Sequence, residues 1–221
     1  MATRRMKPDQ FLGLLGETRA SAILRTPHGD LAAEAMRSAI RGGFRICEFT
    51  LTIPGALDHI RSISEEFPDV VVGAGTVLAA EDAHAAVEAG AHFLVSPVVN
   101  TDVIETATAL GVASIPGCSS PTEMLTAHEA GAPLVKLFPA PAAGAAWLKA
   151  VLGPLPFLKI IPTSGVDLHN AADFLAAGAY AIGFVAPLFS PEDVEAERWD
   201  VIEERARQML AECKPRSVSN G

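Results

Sequence analysis

The chain has 221 residues, enough for one well-formed core and short for two domains. Apolar residues make up 49% and charged residues 19%, a balance that suits a globular domain able to bury a core. The 17 Lys and Arg against 26 Asp and Glu leave a formal charge of −9, which speaks against a nucleic-acid surface because such a surface needs a basic face. An anionic small substrate stays possible, since one cleft can be locally positive. Cys47, Cys118 and Cys213 show neither a C-x-x-C pair nor metal-ligand spacing, so we expect no disulfide framework and no metal site. Free thiols fit a reducing cytoplasm. The first ten residues lack the apolar run of a signal peptide, and no apolar stretch reaches the ~18 residues of a membrane span.

In chain order the pattern is strand and helix, repeated. A helix over 8–18 comes first. The strands are then 20–25 (ASAILR), 45–50 (RICEFT), 70–76 (VVVGAGT), 92–97 (HFLVSP), 112–118 (VASIPGC), 134–139 (LVKLFP), 157–163 (FLKIIPT) and 179–185 (AYAIGFV). Each is short, apolar and mostly β-branched, as strands buried on both faces are. A helical run follows each. Asp30, Thr101, Ser120 and Asp167 are the expected caps. Gly43, Gly90, Gly111, Gly131 and Gly178 fall between a helical run and the next strand, where a helix C-terminus favours φ > 0. They mark units of roughly 20–24 residues. The last helix, 193–210, carries Trp199, Ile202, Ala206 and Met209 at helical spacing, a core stripe. Residues 214–221 read as a flexible C-terminal tail, leaving a single domain over 1–213.

Eight strands alternating with eight helices close most simply into a (β/α)8 TIM barrel, here with an extra N-terminal helix. An open doubly wound sheet is the competing architecture. It wants a nucleotide fingerprint after the first strand, and Thr26-Pro27-His28-Gly29-Asp30 is none. Gly73-Ala74-Gly75 lacks the third glycine and the later acidic residue.

In a barrel the chemistry gathers at the carboxyl ends of the strands. The polar residues there are Arg25, Glu48, Thr50, Thr76, Ser96, Cys118, Lys136 and Thr163-Ser164-Gly165. Glu48 and Lys136 stand out as charges inside apolar strands, where Glu and Lys are rarely buried unless paired or functional. A structural ion pair is one reading. The other is chemical: burial lowers a lysine's pKa, and a neutral amine attacks a ketone to form a Schiff base. A carboxyl group nearby can then move the protons. Lys159 is a weaker candidate. It precedes Thr163 by four residues, roughly 13 Å at ~3.3 Å per residue, toward the opposite end of the strand. The loops after strands seven and eight are common anion sites. Thr163-Ser164-Gly165 suits that role, and Gly183-Phe184-Val185 suits it poorly because Phe184 and Val185 add bulk and no hydroxyl. Of the histidines, only His28 lies near the carboxyl-end loops, and none of the six pairs with a carboxylate at metal-ligand spacing.

Glu48-Phe-Thr-Leu, Gly73-Ala-Gly-Thr-Val-Leu, Ser96-Pro97, Ile115-Pro-Gly, Lys136-Leu-Phe-Pro-Ala and Pro162-Thr-Ser-Gly-Val occur in order. Together they resemble the bacterial class I aldolases for 2-keto-3-deoxy-6-phosphogluconate (KDPG) and 4-hydroxy-2-oxoglutarate (KHG), from about Ala20 to Leu210. The resemblance implies a homotrimeric (β/α)8 barrel needing no metal or cofactor. It implies Lys136 as the Schiff-base lysine, Glu48 as general acid/base, Thr76 near the bound keto acid and Phe138 packed beside it. Two departures stand out. Where the KDPG branch tends to carry an arginine four residues after the glutamate, this chain has Thr52. Ile23-Leu24-Arg25 resembles the branch acting on the galactonate epimer, so Arg25 could supply that guanidinium. The family's glycine-rich phosphate loops are replaced by Ser164-Gly165 and Gly183-Phe184-Val185.

The expected function is retro-aldol cleavage of a 4-hydroxy-2-keto acid, with a small-molecule substrate as the partner. The rivals are a phosphate-binding barrel isomerase or synthase without a Schiff base, and a non-catalytic sugar-acid binding barrel.

Overall fold

The computed structural model describes residues 6–214. Helix α1 (Pro8–Thr18) leads into β1 (Ala20–Leu24), α2 (Gly29–Arg41), β2 (Ile46–Thr50), α3 (Ala56–Glu66), β3 (Val71–Gly75) and α4 (Ala80–Glu88). Then come β4 (Phe93–Val95), α5 (Thr101–Leu110), β5 (Ala113–Ile115), β6 (Gly117–Cys118), α6 (Pro121–Glu129), β7 (Val135–Leu137) and α7 (Gly144–Leu152). The chain closes with β8 (Ile160–Pro162), α8 (Ala171–Ala176), β9 (Ile182–Phe184), α9 (Pro191–Glu195) and α10 (Trp199–Cys213). The tail expected from 214 onward lies outside the described residues except for Lys214, which caps α10.

All strand pairings are parallel. They form a six-stranded sheet, β5-β4-β3-β2-β1-β9, and a three-stranded sheet, β6-β7-β8. The expected single strand over 112–118 is therefore two strands in different sheets. Pro116 causes the break, since it has no N–H to donate to a ladder. Its carbonyl still accepts from the Lys136 N–H at 2.8 Å, while Ile115 O accepts from Ser96 N–H at 3.2 Å. At the other seam a bridge joins Thr163 to Gly183, and Tyr180 N–H donates to Ile160 O at 2.9 Å. Backbone hydrogen bonds thus cross both seams.

Alternation sorts the strand residues into two cores. One lies between strands and helices and includes Phe44, Phe49, Leu94, Leu137 and Phe184. The other lies among the strands and includes Ile46, Val71, Phe93, Val95, Ile115 and Ile161. Helix α1 belongs to the second. Phe11 stacks on Phe93 with centroids 4.6 Å apart, and Leu15 is buried beside it. Burying such side chains is worth about 1.5–3 kcal/mol each. The Tyr180 hydroxyl donates to Leu12 O at 2.9 Å and so holds α1 in place.

The five punctuating glycines all have positive φ, as the helix-end reading requires. The expected caps hold in part. Ser120 is an N-cap, its hydroxyl accepting from the Glu123 N–H. At α5 the cap is Asn100 and not Thr101, because the Asn100 side chain accepts from the Asp102 N–H. Asp30 lies inside α2, and Asp167 accepts from the His169 N–H in a turn before α8. The helix expected over 193–210 is two, α9 and α10. Glu197, at φ 53°, takes a left-handed conformation that ends the first.

Candidate active site

Glu48 sits at the centre of β2 and Lys136 at the centre of β7. They are 2% and 5% exposed. Both point inward because they share the parity of Ile46 and Leu134 on their strands. Gly75 makes room for the carboxyl group: a Cβ there would lie 1.9 Å from Glu48 Oε1. Gly73 makes room for Phe93 in the same way, at 2.5 Å. The Gly-Ala-Gly run is thus a packing requirement of the site and no nucleotide loop.

The two groups do not form an ion pair, and Glu48 Oε1 is buried with no hydrogen-bond partner. A structural ion pair needs direct contact and satisfied oxygens, so the geometry goes against that reading. Burial pushes the Glu48 carboxyl pKa up, with Lys136 and Arg25 opposing it by their charge. Burial pushes the Lys136 amine pKa down, opposed by Glu48 and reinforced by Arg25. Both shifts favour a neutral amine beside a neutral acid. The Phe138 ring lies beside that amine, its centroid 5.2 Å from Nζ.

Two clefts open at the carboxyl ends of the strands. The larger, about 490 Å³, is lined by Arg25, Thr52, Thr76, Pro97 and Phe138, among others. Thr76 has φ 60°, and its Oγ1 is buried and unpartnered. The second cleft, about 280 Å³, is lined by Arg25, Ser164, Gly165, Val185, Phe189 and Pro191, among others. Arg25 borders both and makes no hydrogen bond or ion pair among the described residues, so its guanidinium is free for an anion. Lys136 and Glu48 line neither cleft; both border a small cavity among the strands.

The anion loops need correction. Thr163 is 1% exposed and faces the interior cavity together with Gly183, so neither lines the second cleft. Ser164 and Gly165 do line it. Phe184 does not narrow it: its ring turns to the helix layer, edge-on to Phe44 at 6.3 Å. Of the expected pair, only Val185 lines that cleft. Lys159 lies just before β8, at the strand's amino end, as expected. His28 faces Glu195 across 3.4 Å and borders neither cleft. Ser96, just after β4, and Cys118, in β6, are both buried, the Cys118 thiol pushed up to about 12 chiefly by burial.

Sequence reasoning missed Ser21. Its Oγ is buried, unpartnered and on the interior cavity with Glu48 and Lys136. The signal was present: Ser21, Ile23 and Arg25 share one face of β1, and a serine on the inner face of an apolar strand is out of place.

A recessed amine and a buried carboxyl group, on inward-facing strand positions of an all-parallel α/β fold, are a scaffold for imine chemistry on a carbonyl compound. Comparison with known proteins places it further. The family model for KDPG and KHG aldolases matches residues 14–205, and the chain belongs to that family. It is 36% identical over 181 residues to the 2-dehydro-3-deoxy-phosphogluconate aldolase of Pseudoalteromonas atlantica, covering 81% of this chain and 84% of that one. It is 33% identical to the KHG/KDPG aldolase of Escherichia coli K12, covering 83% and 86%. Among solved structures it is similar to the KDPG aldolase of Legionella pneumophila with pyruvate captured as a covalent carbinolamine. The TM-score there is 0.82 at 26% identity, covering 90% of this chain and 97% of that one.

Proposed function

We propose that this protein is a class I aldolase that cleaves a 4-hydroxy-2-keto acid, of which KDPG and KHG are the family's examples, to a 2-keto acid and an aldehyde. The observation that carries the reading is the unpaired, deeply recessed Lys136 and Glu48, with burial pushing the amine down and the acid up. Lys136 Nζ attacks the C2 carbonyl, and Glu48 supplies the proton that lets water leave the carbinolamine. The iminium draws the electron pair as C3–C4 breaks, while the Glu48 carboxylate takes the C4 hydroxyl proton. The same proton returns to C3 of the enamine, and water then releases the keto acid. The iminium is the electron sink, so no step calls on a metal or cofactor.

Arg25 is the proposed carboxylate anchor, since its planar fork suits a bidentate contact and Thr52 offers no charge. Thr76 and Phe138 are proposed to contact the keto acid, and Ser164 and Gly165 the distal end. The backbone bonds across both seams support one closed (β/α)8 barrel with α1 under it, as a single domain over 1–213. The assembly proposed is a homotrimer. The three cysteines are buried and unpaired, which supports a cytoplasmic setting, and no described helix is long and apolar enough to cross a membrane.

Borohydride trapping with pyruvate tests the reading. The wild-type protein should gain a stable adduct, and Lys136→Ala, which removes a costly buried amine and should fold, should gain none. An isomerase or synthase without an imine, or a non-catalytic binder, would give no adduct in either. Labelling that persists in Lys136→Ala would move the nucleophile elsewhere, with Lys159 next in line.

A further inference from the structure

Helix α10 turns Ile202, Ala206 and Met209 inward, and Arg205 completes the i, i+3, i+4, i+7 stripe that they belong to. A guanidinium on an apolar stripe needs partners. Arg205 has two, both outside its own helix. Its Nη1 donates to Leu188 O at 3.0 Å, and its Nη2 donates to Asp193 Oδ2 at 2.6 Å. Asp193 is 6% exposed, and its other oxygen faces Arg198 Nε at 2.9 Å. A carboxylate so buried is held by its charged partners. Of the two arginines, Arg205 is the less exposed, and exposed pairs contribute little.

The two bonds of Arg205 hold both ends of one short segment, from Leu188 in the loop after β9 to Asp193 in α9. Between them Phe189 and Pro191 line the second cleft, and Val185, Ala186 and Pro187 line it just before. The Leu188 and Phe189 N–H groups fold back onto Val185 O, and those of Asp193 and Val194 onto Ser190 O. The segment is thus two tight turns in series, and Arg205 spans them. Arg205 itself lines neither cleft. Its base is firm: Gly42, at the end of α2, approaches α10 so closely that a Cβ there would lie 2.4 Å from Ala206 Cβ. A second tie to α9, Glu195 to His28 at 3.4 Å, joins two exposed side chains and adds little by comparison.

We infer that Arg205 is a positioning residue for substrate selectivity: its fork pins the loop after β9 to α10 and so fixes the wall that the distal end of a keto acid meets. The inference rests on the proposed aldolase reading, in which that end occupies the second cleft. The fork matters because one planar guanidinium reaches a carbonyl and a carboxylate at once. A lysine ammonium would keep the charge beside Asp193 without fixing both. The wall meets ground state and transition state alike, so releasing it raises KM and leaves kcat. Pyruvate has no distal end and does not sense the wall.

Arg205→Lys and Arg205→Met are compared with wild type by amide hydrogen exchange and by kinetics with KDPG and KHG. Exchange of the Leu188, Phe189, Asp193 and Val194 amides should rise by about tenfold, as for the loss of one hydrogen bond to a charged group, with the amides of β2 and β7 unchanged. Borohydride trapping of pyruvate should equal wild type. KM for KDPG, which extends to a phosphate on C6, should rise by about three- to tenfold with kcat kept, and KM for KHG, which ends one carbon beyond C4, by less than about twofold. Exchange that stays at the wild-type level overturns the pin. Equal KM changes for the two substrates, or a fall in kcat alone, overturn the selectivity role. Where Arg205→Met does not fold, Arg205→Lys decides by the same readings. If the wild-type protein traps no pyruvate, the aldolase reading and the selectivity role fall together, and the exchange still decides the pin.

Discussion

Glu48 shows how much of this site is a matter of single atoms. Its carboxyl group is buried, unpaired and raised in pKa by desolvation, which favours the protonated form. Glu48→Gln keeps the shape and removes the proton, so kcat should fall by ~10²–10⁴ with the imine still trappable. A loss under about threefold would leave Glu48 a structural residue. Gly75→Ala probes the same carboxyl group from outside. The new Cβ would lie 1.9 Å from Oε1 and must displace it. A displacement near 1 Å costs about 10² in rate, so single-turnover measurements should show slow chemistry with pyruvate still bound. Glu48 and Lys136 were legible in the sequence because a charge inside an apolar strand is anomalous. Ser21 was not singled out, because serine is small and common and only the inward face of β1 makes it notable.

At the scale of elements, the loops after β8 and β9 decide what the distal end of a substrate meets. Ser164 and Gly165, at φ 64° and 81°, present N–H groups with no hydrogen-bond acceptor among the described residues. The loop after β9 offers less. Pro187 and Pro191 have no N–H, and the N–H groups of Leu188 and Phe189 both donate to Val185 O. A phosphate there would find fewer free N–H groups than four consecutive non-proline residues would offer, and Arg25 cannot hold it while it holds the carboxylate. Removing the phosphate from a keto-deoxy acid substrate should therefore lower kcat/KM by less than about 10²-fold, or ~2.7 kcal/mol at 1.36 per decade. A loss of 10⁴-fold or more, measured by pyruvate release, would reveal a full phosphate site. The bulk expected of Phe184 was misplaced because strand parity, not residue size, sends its ring to the helix layer. Pro116 carried its warning in the sequence, but its effect on pairing depended on which neighbours β5 and β6 found.

For the whole molecule, the two seams and α1 turn a set of strands into an enclosed site. Helix α1 was expected over 8–18, yet its place beneath the strands followed from Phe11 meeting Phe93, a contact between distant parts of the chain. The outer surface carries a further sign. Leu78 and Val98, each 51% exposed, sit on neighbouring loops that Asn100 joins by donating to Leu78 O at 2.9 Å. The proposed trimer is expected to cover these side chains. Light scattering should give a mass three times that of the 23.1 kDa chain, and Leu78→Glu with Val98→Glu should reduce it to one chain. A trimer that survives both changes places its interface elsewhere.

By itself the sequence determined the alternation of strands and helices, apart from the breaks at Pro116 and Glu197, the turns at five glycines, and Glu48 and Lys136 as the candidate reacting residues. All of these follow from local conformation or from one residue at odds with its neighbours. Tertiary structure alone decided that Thr163 and Gly183 face inward and Ser164 and Gly165 outward, that Arg25 borders two clefts, and that Ser21 lines one small cavity with Glu48. Such facts depend on register between strands far apart in the chain, and a shift of one residue there would send every side chain to the opposite face.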